Sequence, residues 1–166
     1  MGAGKDVAAG DSAGVHRVLF VCLGNICRSP MAEAVFAHIT KERGLSSQFK
    51  IDSAGTAGYH VGDSPDTRSM ATCRKNGVDV SHVGRQVSKS DFTDFDWVLC
   101  MDESNLRDLQ RIQPKGSKAK VQLFGDFDPE GDRIIRDPYY GGPEGFDRNF
   151  AQVTRCSEQF LKELGL

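Results

Sequence analysis

No apolar stretch in this sequence approaches the ~18 residues that suggest a membrane span, and residues 1–14 lack the basic segment and apolar core of a secretory leader. The expected location is the cytosol, with no membrane partner. Excess charge is also missing: 21 Lys and Arg stand against 23 Asp and Glu, a net charge of −2. That balance does not draw a chain onto nucleic acid or an anionic bilayer. Cysteines are few and odd in number: Cys22, Cys27, Cys73, Cys100 and Cys156. A chain of 166 residues folds without staples, so they point to thiol chemistry rather than a disulfide framework. Neither an internal repeat nor a low-complexity core segment is present. The rest is an ordinary globular mix, 39% hydrophobic and 27% charged, which suits one domain and rules out a disordered or collagen-like chain.

Residues 1–14 are mostly Gly, Ala and Asp and read as a disordered tail ahead of a domain over 15–166. Val18-Leu19-Phe20-Val21 is the short apolar run of a strand buried on both faces. Ser29-Pro30 then opens a helix with apolar residues at Met31, Ala34, Val35, His38 and Ile39 and a stop at Gly44. Further strands are expected at Phe49–Ser53, Trp97–Met101 and Val121–Phe124, and further helices at Pro65–Asn76 and Glu103–Ile112. Phe146, Phe150, Val153, Ser157, Phe160, Leu161 and Leu164 mark a long closing helix over one sheet face. Strands alternating with helices predict an α/β fold, a parallel sheet with helices on both faces and its ligand site at the carboxyl ends of the strands.

Chemistry concentrates where the first strand meets the first helix. Cys22 ends the strand, Arg28 lies six positions on, and between them Leu23, Gly24, Asn25, Ile26 and Cys27 turn the chain, with Gly24 and Asn25 suited to unusual backbone angles. Such a loop can point successive amides inward while the helix N-terminus adds positive charge, forming a bowl for a tetrahedral oxyanion. Arg28 offers a planar fork to two phosphate oxygens. Cys22 at the floor is placed where a thiolate is favoured, and the Ser29 hydroxyl can donate to it. Displacing an aryl or alkyl oxygen from phosphorus also needs an acid, then a base for water. Asp137, in Asp-Pro-Tyr-Tyr-Gly-Gly, is the candidate for both, with Asp102 reading as a helix cap instead. A zinc site on Cys22 and Cys27 has the wrong spacing and an Arg beside the cation. The expected metal and cofactor complement is none.

Together these residues resemble the low-molecular-weight protein tyrosine phosphatase family. The resemblance rests on VLFVCLGNICRSPMAEAVF, Asp52-Ser53-Ala54-Gly55, Ser81-His82, WVLCMDESNLRDL and DPYYGG, and covers the chain from Val18 onward. It implies a doubly wound sheet of four parallel strands, a phosphocysteine on Cys22, Arg28 as phosphate clamp and Asp137 as acid then base. It also implies a polar network of Asn25, Ser29, Ser53 and His82 that holds the loop. Tyr59, Tyr139 and Tyr140 as entrance walls would make a slot deep enough for phosphotyrosine. The family's arginine-phosphatase relatives look to have Thr where Ile26 stands, which favours tyrosine. Cys27 is close enough in sequence for a reversible disulfide with Cys22 under peroxide, as the resemblance also implies. Cys73, Cys100 and Cys156 read as inert core thiols. Expected partners are phosphotyrosine proteins or peptides and small aryl phosphates, with inorganic phosphate as an inhibitory product and the chain acting as a monomer. The rivals are an arsenate reductase on the same scaffold, whose relay cysteine has no place in residues 81–95, and a silent phosphotyrosine-binding module, which would typically lack Cys22 or Asp137.

Overall fold

The structure, a computed structural model, describes residues 14–166. The tail expected over 1–14 lies outside it but for Gly14, which is exposed in a turn. The elements run β1 His16–Cys22, α1 Arg28–Glu42, β2 Phe49–Gly55, α2 Thr67–Lys75, α3 Asp91–Asp94, β3 Trp97–Cys100, α4 Glu103–Ile112, β4 Lys120–Leu123 and α5 Glu144–Glu163. Short 3-10 turns precede β2 and follow β4.

The four strands pair in parallel in the order β2-β1-β3-β4. The chain leaves β1 toward β2 on one side and returns to β3 on the other, so the carboxyl ends of β1 and β3 flank the crevice where doubly wound sheets bind ligands. Each face has its own core, because successive residues of a strand point to opposite sides. Val18, Phe20 and Cys22 face Met31, Val35 and Phe36 of α1 and Val153, Phe160 and Leu161 of α5. Leu19 and Val21 face Phe92 of α3, Leu109 of α4, and Phe95. Every residue from Val18 to Val21 is fully buried, so the strand that delivers Cys22 is the rigid centre of the molecule.

Most expected elements stand within two residues of their place, and α4 matches Glu103–Ile112 at both ends. Three differ. The first helix begins at Arg28 with Cys27 at its N-cap position and no side-chain cap, because the Ser29 hydroxyl is engaged elsewhere. Its buried face is Met31, Ala32, Val35, Phe36 and Thr40, a rotation away from Ala34 and His38. The second helix starts at Thr67 rather than Pro65, since the Asp66 carboxylate accepts from the Arg68 amide and caps it. The one-turn α3 has too few residues to show a period.

Candidate active site

Parallel pairing sets Cys22 opposite Gly55 and Val21 opposite Cys100. Beyond the strand ends, the Thr56 and Ala57 amides donate to the carbonyls of Cys22 (2.9 Å) and Leu23 (3.0 Å), which fixes the start of the loop. A Cβ at Gly55 would come 2.8 Å from the Leu23 carbonyl oxygen, so this close approach requires glycine. Asn25 makes the turn. At φ 58° it is the one non-glycine residue with positive φ among the described residues. Gly24 takes no such angle, contrary to expectation; its missing side chain leaves room for His60, whose ring would be 3.1 Å from a Cβ there.

The strain at Asn25 is over-determined by hydrogen bonds. Its Nδ2 donates to the hydroxyls of Ser29 (2.8 Å) and Ser53 (3.0 Å), and its Oδ1 accepts from His82 Nε2 (2.8 Å) and the Arg85 amide (3.0 Å). Each hydroxyl, already accepting from Asn25, turns its own hydrogen away. Ser53 donates to Glu33 Oε1 at 2.6 Å, and Ser29 lies 3.0 Å from Cys22 Sγ with its hydrogen available to the sulfur. Among the described residues, the amides of Gly24, Asn25, Ile26 and Cys27 make no hydrogen bond, the condition of donors facing an anion site.

Arg28 is buried and held from one side. Its Nη1 donates to Asp102 Oδ2 (2.6 Å) and the Ile135 carbonyl (3.0 Å), leaving the Nε and Nη2 edge as a bidentate fork. Burial works against its charge, but Cys22, Asp102 and Asp137 outweigh it and raise its pKa further. Asp102 does cap α4, through Oδ1 to the Asn105 amide at 2.9 Å, and spends its other oxygen on Arg28. Asp137 Oδ2 lies 3.7 Å from Arg28 Nη2, and Oδ1 accepts from the Tyr139 amide at 3.0 Å.

Cys22, Leu23, Gly24, Ile26, Cys27 and Arg28 line a cavity of about 220 Å³ whose walls are Tyr59, His60, Asp137, Tyr139 and Tyr140. The chain belongs to the low molecular weight phosphotyrosine protein phosphatase family. That family matches residues 17–165. A relative of that name in Homo sapiens is 50% identical over 148 residues, 88% of this chain and 94% of that protein. A protein tyrosine phosphatase from Entamoeba histolytica superposes with a TM-score of 0.87 at 37% identity, covering 90% of this chain and 97% of the other. An arginine phosphatase of Drosophila superposes at 0.84 with 38% identity, covering 89% and 96%.

All the residues singled out for the phosphatase loop, its supporting network and the aromatic walls fall in one neighbourhood of this family fold. Further neighbours are not among the expected site residues. Asp102 competes with Asp137 for the acid's role in the sequence but reads there as a helix cap, and Glu33, His60 and Arg85 belong to no local pattern. Glu33 Oε1 lies 3.1 Å from His82 Nδ1, and Arg85 Nε donates to Asp52 Oδ2 at 3.0 Å. Burial pushes the Glu33 carboxyl up to about 7, while the Ser53 hydrogen bond pulls the other way. Burial also lowers the His82 imidazole, while the Asp52 carboxylate pulls the other way. Glu33, Asp52 and His82 offer converging ligand atoms within 4.8 Å, yet Ser53 and Arg85 already engage the two carboxylates. Cys27 is buried beside the loop. Desolvation, then the carboxylate of Asp66, pushes its thiol up to about 12. Cys73, Cys100 and Cys156 are likewise core thiols raised to about 12 by burial.

Proposed function

We propose that this chain is a phosphotyrosine protein phosphatase that hydrolyses aryl phosphate monoesters through a phosphocysteine on Cys22. The observation that carries this is the Ser29 hydroxyl 3.0 Å from Cys22 Sγ, at the floor of a cavity that Arg28 and Asp137 also line. In the first step the Cys22 thiolate attacks phosphorus, an S–P bond forms, and the P–O bond to the aryl group breaks as Asp137 passes its proton to the departing oxygen. Arg28 and the loop amides bind the equatorial oxygens, where negative charge concentrates. In the second step water attacks phosphorus and gives its proton to the Asp137 carboxylate. The S–P bond breaks, the thiolate returns to the Ser29 hydrogen bond, and orthophosphate leaves. Tyr59, Tyr139 and Tyr140 give an aromatic entrance that fits an aryl ring above the bound phosphate. Substrates are then phosphotyrosine proteins or peptides and small aryl phosphates, with inorganic phosphate competing for the same loop. We place the chain in the cytosol as a monomer; no helix among the described residues is long and apolar enough to cross a membrane.

A second substrate class follows from the Drosophila arginine phosphatase of similar fold. The aromatic walls and Ile26 in the cavity lining favour the aryl ester. The test is steady-state hydrolysis of phosphotyrosine and phosphoarginine peptides, with and without chelator, by wild type, Cys22→Ser and Asp137→Asn. The expected result is chelator-insensitive turnover of phosphotyrosine that Cys22→Ser abolishes and Asp137→Asn cuts by ~10²–10⁴. Faster phosphoarginine cleavage would reassign the substrate. Tight phosphopeptide binding with no turnover would make the chain a binding module.

A further inference from the structure

The segment that carries Asp137 is poorly anchored for one that must deliver a proton. Residues 137–143 form no helix or strand, Tyr140 is 94% exposed, and the turn contact from the Gly141 amide to the Pro138 carbonyl is local. Apart from the first-turn amides of α5, which donate to the Gly142 and Pro143 carbonyls, one hydrogen bond reaches this segment from another element among the described residues: Arg68 Nη1 donates to the Tyr139 carbonyl at 3.1 Å. The Arg68 guanidinium also lies over the rings of Tyr139 (5.2 Å) and Phe146 (4.8 Å). Its other edge is clamped by Asp66, from Nε to Oδ1 at 3.1 Å and from Nη2 to Oδ2 at 2.9 Å. The start of α2 is itself tied to the nucleophile loop: the Asp66 amide donates to the Ile26 carbonyl at 2.7 Å, and the Ser69 hydroxyl to the Cys27 carbonyl at 2.9 Å.

Tyr139 therefore links two contacts. Its amide orients the Asp137 carboxylate, and its carbonyl is gripped by Arg68. We infer that Arg68 is a positioning residue for proton transfer, a strut that sets Asp137 at a fixed distance from the nucleophile loop through Asp66 and Tyr139. This rests on Asp137 being the general acid of the proposed reaction. The geometry asks for a planar fork. A lysine ammonium cannot hold both Asp66 oxygens and the Tyr139 carbonyl while stacking between two rings.

A strut that positions an acid matters most where the leaving oxygen most needs a proton. The experiment measures kcat/KM for a series of aryl phosphates, from dinitrophenyl to phenyl, on wild type, Asp137→Asn, Arg68→Met and Arg68→Lys, with thermal melts to show that each is folded. Both Arg68 variants should lose about tenfold or more on phenyl phosphate and less than about twofold on the dinitrophenyl ester, since small misplacement of a catalytic group is costly. In the Asp137→Asn background the same substitutions should add nothing. A uniform loss across the series, no loss, or an additive loss in that background would overturn the inference. If the wild type turns over and Asp137→Asn alone shows the leaving-group dependence, the positioning role fails and the functional reading stands. If the wild type hydrolyses none of the series, both fail.

Discussion

The two loops that meet at the cavity are built in opposite ways. From Cys22 to Ser29 the chain is held from within: Asn25, Arg28 and Ser29 are almost fully buried, and four hydrogen bonds fix Asn25 in the left-handed region. From Asp137 to Tyr140 the chain lies at the surface, with Asp137 itself 45% exposed and Arg68 its one hydrogen-bonded tie to another element among the described residues. The difference follows from the two tasks. Stabilising charge on a phosphoryl group requires donors set in place beforehand, because dipoles that reorganise during the reaction return part of what they give. Serving as acid and then base requires access for leaving groups of different shape and then for water, which a rigid, buried loop would refuse.

The comparison is sharpened by damaging each loop in turn. The largest effect on the fold is expected from Asn25→Ala. It strands the hydroxyls of Ser29 and Ser53 and the donors of His82 and Arg85, and should cost about 2–4 kcal/mol in urea unfolding, with strain relief returning part. Activity should fall with it. Asp137→Asn, by contrast, should leave stability within about 0.5 kcal/mol, because the side chain is half exposed, the Asn carbonyl can still accept from the Tyr139 amide and Arg28 keeps Asp102, while cutting kcat as above. If the two substitutions destabilise equally, the contrast between a preset and an open loop is wrong.

Thiol reactivity gives a third, smaller effect. Cys27 is a neutral thiol below about pH 12, so its thiolate fraction at neutral pH is minute and rises about tenfold per pH unit toward that value. Iodoacetamide at pH 7 should therefore label Cys22 before Cys27, with Cys27 labelling climbing as pH rises, read by mass spectrometry of the two peptides. Equal labelling at pH 7 would show that the loop does not separate its two cysteines. The smallest effect is expected from Tyr140→Ala. An exposed ring at the entrance should change KM for aryl phosphates by a few fold and leave kcat and stability nearly untouched.

The nucleophile loop was legible in the sequence because it is local: a strand of four apolar residues, a turn and a helix follow one another within thirteen positions, and each leaves its own pattern. Asp137 was legible through its Pro-Tyr-Tyr-Gly-Gly surroundings. What holds them was not. Arg28 is gripped by Asp102, 74 positions away, Asn25 by His82 and Arg85, and Tyr139 by Arg68, 71 positions away. Such partners are chosen by the order of strands and by which loop passes over which, and no periodicity along the chain encodes that. Ser29 shows the same limit. Its place before Pro30 reads as a helix cap, whereas the structure spends its hydroxyl on Asn25 and Cys22 and lets α1 begin uncapped at Arg28.

The most direct test of the account is to catch the intermediate. Asp137→Asn removes the base that activates water, so the phosphoenzyme should outlive its formation when a dinitrophenyl ester supplies the phosphate. Rapid acid quench, digestion and mass spectrometry should then find phosphate on the peptide bearing Cys22, and none after Cys22→Ser. Turnover with no phosphopeptide at any time, or phosphate on Cys27 instead, would contradict it.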